Sequence, residues 1–219
     1  MIDFDLIIRE LPQLLCGALV SLEIALCSCI IGLTLGTLFG LSQEYGPTIV
    51  RWPIAILVTV IRGTPMLIQI FIAYYALPQA GISFSAFWTA ILAIGLNSSA
   101  YISNIIRSGI ASVGRGQIEA AQVLGFSIPQ TIRFIVLPQA LIIILPSLGN
   151  EFITLIKDSA LASIIGVVEL SKEGSIIRSR TYDAITTFFI VALIYLVITM
   201  LISMCIHYFE RRIRRYARY

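Results

Sequence analysis

Polar residues in this chain fall in clusters, and the stretches between the clusters are long and apolar. A helix that crosses a membrane needs about 20 mainly apolar residues. Five stretches meet that length: residues 14–41, 52–78, 84–107, 134–156 and 184–208. The first carries only Glu23 as a charge, and its Gly32, Gly36 and Gly40 recur every fourth residue, a spacing that allows close helix packing. The second is interrupted by Arg62-Gly63-Thr64-Pro65, and neither half is long enough to span alone. That interruption predicts a kink or a fresh helix start, with Arg62 near one interface. The fourth is made irregular by Pro138, Pro146 and Gly149. Residues 161–170 are apolar but too short to span, which predicts a short helix packed along the bundle, part of a gate. The mixed charges of Glu169, Lys172, Glu173, Arg178, Arg180 and Asp183 predict a loop before the last span.

Composition agrees with this pattern. The chain has 219 residues, 58% hydrophobic and 12% charged, with a mean hydropathy of +0.94. Soluble domains average about 25% charged residues. The fold class is therefore an all-α membrane protein in contact with the lipid bilayer, organised as one transmembrane domain over residues 1–219. The net charge of +3 is too small to argue for nucleic acid. Cys16, Cys27, Cys29 and Cys205 all sit in apolar runs without metal-ligand spacing, so no metal site is expected. No cleavable leader is expected, because the first apolar run is too long for one.

The one extended polar island is 114–130. Gly114 and Gly116 precede a helical stretch from Gln117 to Leu124, with Glu119 in its first turn. Gly125 is placed to stop it in the left-handed conformation. Ser127 with Gln130 then forms a capping box that restarts a helix, and Pro129 is tolerated in that first turn. Ala120 and Ala121 leave a face of little bulk that another surface can approach. By itself this is compatible with an ordinary interfacial loop between spans.

Polar groups inside a bilayer must face protein or water. Asn97, Ser98, Ser99, Tyr101 and Asn104 of the third span, and Gln69 of the second, therefore face inward. Holding helices together suits most of them, and Asn97, near mid-span, is the best candidate for touching a substrate. Near the end of the fourth span, Glu151, Thr154 and Asp158 recur at i, i+3 and i+7 and share one helical face. Their carboxylates lie about 10 Å apart at 1.5 Å rise per residue. Two acids on one face suit the cationic side chain or the α-ammonium of an amino acid; a structural pairing with Lys157 or Arg62 is the alternative.

Glu119-Ala120-Ala121, Gly125 four residues on, and Ile135-Val136-Leu137-Pro138 about ten further resemble the EAA loop of ABC importer permeases. Arg62-Gly63-Thr64-Pro65-Met66-Leu67-Ile68-Gln69 is similar to the R-G-T-P-L-L-V-Q stretch of the polar amino acid members. The third span keeps Ala100, Tyr101 and Arg107 of the pattern A-Y-x-A-E-x-x-R-G-G but has Asn104 and Ser108 where the pattern has Glu and Gly. The likeness runs from Leu14-Leu15-x-Gly17 to Ile165-Gly166-Val167-Val168-Glu169-Leu170. It implies a MetI-like permease fold of five spans with a cytoplasmic coupling helix. It further implies a second permease chain, identical or related, a dimer of ATPase subunits docked at Glu119, Ala120, Ala121 and Gly125, and an extracytoplasmic amino-acid-binding protein. ATP would be bound by the ATPase, so the chain itself needs no cofactor.

Five spans put the termini on opposite sides. With the C-terminus inside, the interior segments hold Arg51, Arg107, Arg115, Arg133 and the five arginines of the tail, while the exterior ones hold Arg9, Lys172, Arg178 and Arg180. Positive charge favours the cytoplasmic side. The expectation is a multi-pass protein of the bacterial inner membrane, N-terminus outside, C-terminus cytoplasmic, with the 114–130 loop beside the ATP. The only lysines, Lys157 and Lys172, lie outside any phosphate-binding loop, so ATP hydrolysis is expected in a separate subunit and the chain is not an enzyme. The lone His207 offers no catalytic triad. The reading is a permease for polar amino acids, basic ones first, with a glutamine-type substrate as alternative. A secondary transporter remains the other class, though no inverted repeat supports it.

Overall fold

A computed structural model describes residues 3–216, all helices, turns and short connections with no strand among them. Helix α1 runs Phe4–Tyr45, earlier and later than its apolar run of 14–41. Asp3 explains the early start: its side chain accepts from the N–H groups of Asp5 and Leu6, satisfying two orphan donors. At 1.5 Å per residue α1 is about 63 Å long, roughly twice a hydrocarbon core.

Helix α4, Ala86–Ala111, packs along α1 and is the most enclosed of the long helices. The contact is backbone-close. A Cβ on Gly36 would sit 2.7 Å from Ile102 Cβ, and one on Gly40 would sit 2.9 Å from Ile106 Cβ. The four-residue glycine spacing thus does what its pattern predicts. Ile24, Ile91, Ile94, Leu155 and Ile156 form the centre of the core between α1, α4 and the later helix Leu137–Asp158.

The second apolar run is a sharp corner. Helix α2, Thr48–Gly63, ends at the extended Thr64 and Pro65, and α3, Met66–Phe71, continues through a wide turn at Ile72–Ala76 and a tight one at Leu77–Ala80. The two arms are bent by 105°, more than a proline kink. Among the described residues four helices are long and apolar enough to cross a membrane, and the bent pair makes a fifth if it counts as one span.

After the short helices α5, Arg115–Val123, and α6, Ile128–Thr131, the chain passes a wide turn, Ile132–Val136, ahead of Pro138. It then enters α7, Leu137–Asp158, which tightens into a 3-10 turn at Ser159–Ile165. The short helix expected over 161–170 is thus only partly present: the turn ends at Gly166 with φ +92°, and Leu170 opens the next helix, while Ala162, Ile165 and Val167 are buried as a packed apolar segment. The expected charged loop at 169–183 is instead α8, Leu170–Thr181. Its buried face is Leu170, Gly174 and Ile177, at i, i+4 and i+7. Its N-cap Glu169 is wholly buried and accepts from Lys172 N–H at 2.9 Å, Ser21 Oγ at 3.0 Å and Tyr195 Oη at 2.8 Å. Asp183 precedes α9, Ala184–Tyr216, and accepts from Thr186 N–H. Hydrogen bonds from Thr186 hold the Asp183 carboxyl below the usual carboxylate range. Leu193, Leu196, Val197, Met200, Leu201 and Met204 leave one side of α9 apolar and exposed, a face suited to hydrocarbon.

Candidate functional site

Two regions gather the residues singled out in the sequence. The first is the α5–α6 loop. Arg115 opens α5, so Glu119 lies in its second turn rather than its first. Gly125 stops the helix at φ +84°, with Phe126 N–H bonded to Ala121 O and Gly125 N–H to Gln122 O. That pair of bonds is the Schellman arrangement, and the left-handed φ is why a glycine stands there. Gln130 Oε1 accepts from Ser127 N–H at 2.8 Å and Ser127 Oγ at 2.9 Å, which restarts the chain as α6. Glu119, Ala120 and Gly125 are exposed, but Ala121 is 3% exposed and turns inward. The small-residue face is therefore one alanine, not two. Beside it Val123, Leu124 and Ile128 are 66–88% exposed, an apolar tip with no cover in this chain.

The second region is a cavity of about 550 Å³ with three walls. The α2–α3 corner supplies Arg62 to Leu67, α4 supplies Asn97 and Tyr101, and α7 supplies Glu151, Thr154 and Asp158. The i, i+3, i+7 spacing does bring the last three to one surface. Ser98 Oγ donates to Glu151 Oε1 at 2.7 Å, and Thr154 Oγ1 donates to Asn150 O. Asp158 takes part in no hydrogen bond or ion pair among the described residues. No ion pair within 4.0 Å joins either acid to Lys157 or Arg62 among the described residues, although the charge of the neighbouring Lys157 acts on Asp158.

Arg62 borders this cavity. Its guanidinium lies 5.4 Å from the Tyr101 ring centroid, and Asn104, with its amide oxygen turned that way, accepts from it. Tyr101 is 39% exposed, unlike the buried Asn97, Ser98 and Ser99 beside it. Gln69 does not line the cavity. It stands one hydrogen bond behind, its Oε1 accepting from Asn97 Nδ2 at 3.1 Å. Sequence reasoning missed Arg62 as a cavity group; the signal was its place immediately before the Gly-Thr-Pro break, where the chain bends by 105°. Glu151 also borders a second, apolar cavity of about 470 Å³, together with Cys29, Pro146 and Phe209.

The profile of the family "Binding-protein-dependent transport system inner membrane component" matches residues 11–215. The chain is 37% identical to the glutamine transport system permease protein of Escherichia coli (strain K12), over 97% of this chain and 98% of that one. It is 36% identical to the arginine transport system permease protein of Bacillus subtilis (strain 168), over 97% and 98%. Among solved structures, that of an amino acid ABC transporter with histidines superposes with a TM-score of 0.92 at 37% identity, over 97% of this chain and 99% of that one.

Proposed function

The chain belongs to the family of binding-protein-dependent transport system inner membrane components and is an amino-acid ABC permease; on that premise we propose that it imports a basic amino acid, with arginine, lysine and histidine as the candidates. The observation that carries the substrate class is the charge count of the cavity. Glu151 and Asp158 stand against the single guanidinium of Arg62. A basic amino acid in its charged form carries two cations and one anion, the mirror image. Its α-carboxylate suits Arg62, and its ammonium and side chain suit the two acids, with Thr154 and Asn97 between them. A glutamine-type substrate leaves one acid without a counter-charge, and that desolvated charge is costly. The relatives do not separate the two readings, since one is named for glutamine and another for arginine.

ATP hydrolysis resides in a separate pair of subunits. The exposed Glu119, Ala120 and Gly125, with the apolar tip of Val123, Leu124 and Ile128, form the face on which an ATPase docks. A second permease chain completes the pathway, and an extracytoplasmic binding protein delivers the amino acid. The arginine distribution supports a cytoplasmic C-terminus, which requires the bent α2–α3 pair to count as one crossing. ATP-driven closure of the ATPase pair moves the α5–α6 loops and switches the cavity between two openings.

The test is ATP hydrolysis in liposomes holding the chain with its ATPase and binding protein. The native complex is compared with Glu119→Lys plus Gly125→Pro, and arginine, lysine, histidine, glutamine and glutamate are screened. Stimulation by the basic amino acids that vanishes in the variant is the expected result. Equal stimulation by glutamine demotes the charge count. Uptake that persists with no ATPase bound returns the chain to the class of secondary transporters.

A further inference from the structure

The α2–α3 corner leaves carbonyls that no helix satisfies, because Pro65 has no N–H and Thr64 is extended. Two side chains meet them. Thr64 Oγ1 turns back to donate to Val60 O at 3.0 Å. Gln69 Nε2 donates to Ile61 O at 2.7 Å, to Thr64 Oγ1 at 2.8 Å and to Thr64 O at 3.2 Å. All three partners are acceptors toward Gln69, so the amide has a single orientation and its Oε1 faces α4. There it accepts from Asn97 Nδ2. The orientation of one amide thereby dictates that of the next. Asn97 turns its nitrogen away from the cavity it borders, and its Oδ1 has no partner among the described residues.

We infer that Gln69 is a positioning residue for substrate: through its hydrogen bond to Asn97 it fixes Asn97 Oδ1 as an acceptor for the ammonium of an amino acid in the cavity. This rests on the cavity being the substrate site. It differs from a direct contact, since Gln69 itself does not line that cavity. It also differs from a purely structural brace, which needs only the donors of Gln69. The acceptor is spent on Asn97, 28 residues away on another helix. A neutral amide cannot change the cavity's charge, so Gln69 acts on affinity for any amino acid and leaves the preference among them to the acids.

The experiment is equilibrium binding of radiolabelled arginine, and separately glutamine, to the permease–ATPase complex in nanodiscs, without binding protein. Gln69→Leu, Asn97→Ala and the double variant form a cycle, with melting temperature and basal ATP hydrolysis measured beside it. Each single change is expected to weaken binding about tenfold, the size of one hydrogen bond to a charged group. The double variant is expected to be no worse than Asn97→Ala. Thr64→Val keeps the side-chain shape at the corner and removes one of the three anchors of Gln69 together with the hydroxyl's own bonds to Val60 O and Ile61 O. It serves where Gln69→Leu does not assemble, and is expected to weaken binding two- to threefold in the native background and not beside Asn97→Ala. Equal losses in both backgrounds, or losses tracked by melting temperature, overturn the inference. Glu151→Gln and Asp158→Asn are the controls for the site itself. If both leave arginine binding intact, the cavity reading has failed; if they abolish it and the cycle shows no coupling, only the role of Gln69 has.

Discussion

Glu169 and Asp158 are both carboxylates in the folded interior, and they are treated oppositely. Glu169 is sealed: nothing of it is exposed, and three donors from α1, α8 and α9 converge on its two oxygens. Asp158 has neither hydrogen bond nor ion pair and opens on a cavity. A charge surrounded by fixed donors fastens elements together. A charge left without a hydrogen bond or close ion pair beside open volume is held ready for a group that comes from outside. Glu151 stands between the two, with one donor, Ser98, and its other oxygen free for the cavity.

The largest expected effect tests the sealed end of that contrast. Glu169→Ala removes the shared acceptor of two hydroxyls and a backbone N–H, leaving Ser21 Oγ only its longer bond to Gly17 O and Tyr195 Oη only Ser171 Oγ, and the destabilisation is about 3 kcal/mol. Thermal unfolding of the purified protein measures it; a variant as stable as the native chain dissolves the distinction. Next comes the open end. Glu151→Gln with Asp158→Asn should leave the unfolding temperature within about 3 °C. The same pair should weaken arginine binding by about 100-fold, or about 2.7 kcal/mol. Glutamine binding should change less. If both ligands are lost together with stability, the cavity acids are structural too. Tyr195→Phe removes one of the three donors to Glu169, and about 1 kcal/mol of stability should go with it, at unchanged substrate affinity. The smallest effect is expected from Thr154→Val. Its hydroxyl already donates to Asn150 O, so binding should weaken by about threefold at most, as equilibrium titration would show.

The sequence carried the open end well and the sealed end badly, for one physical reason. Glu151, Thr154 and Asp158 share a face because of helix geometry, which is local and readable from spacing. The same locality made the glycine seam and the Gly125 helix stop legible. Glu169 looks like one more charge in a mixed-sign stretch. Its hydroxyl donors come from residues 148 and 26 positions away, and no local pattern announces them. Helix α8 was hidden for a related reason, since only Leu170, Gly174 and Ile177 mark its inner face among charges. At the α2–α3 corner, Gly-Thr-Pro announced a break but not its 105°, which tertiary packing sets. The inward turn of Ala121 was equally out of reach, because the loop packs back on its own chain.

The glycine seam between α1 and α4 has a kinematic consequence. Gly32, Gly36 and Gly40 face Ser98, Ile102 and Ile106, two rows with the same four-residue step. Like a toothed rack, such a seam offers a new fit only after a whole four-residue step, about 6 Å of travel. Every shorter slide drives a branched side chain into backbone. The pair therefore behaves as a fixed frame under small loads. Graded motion is left to the walls hung on it, the bent α2–α3 corner and α7.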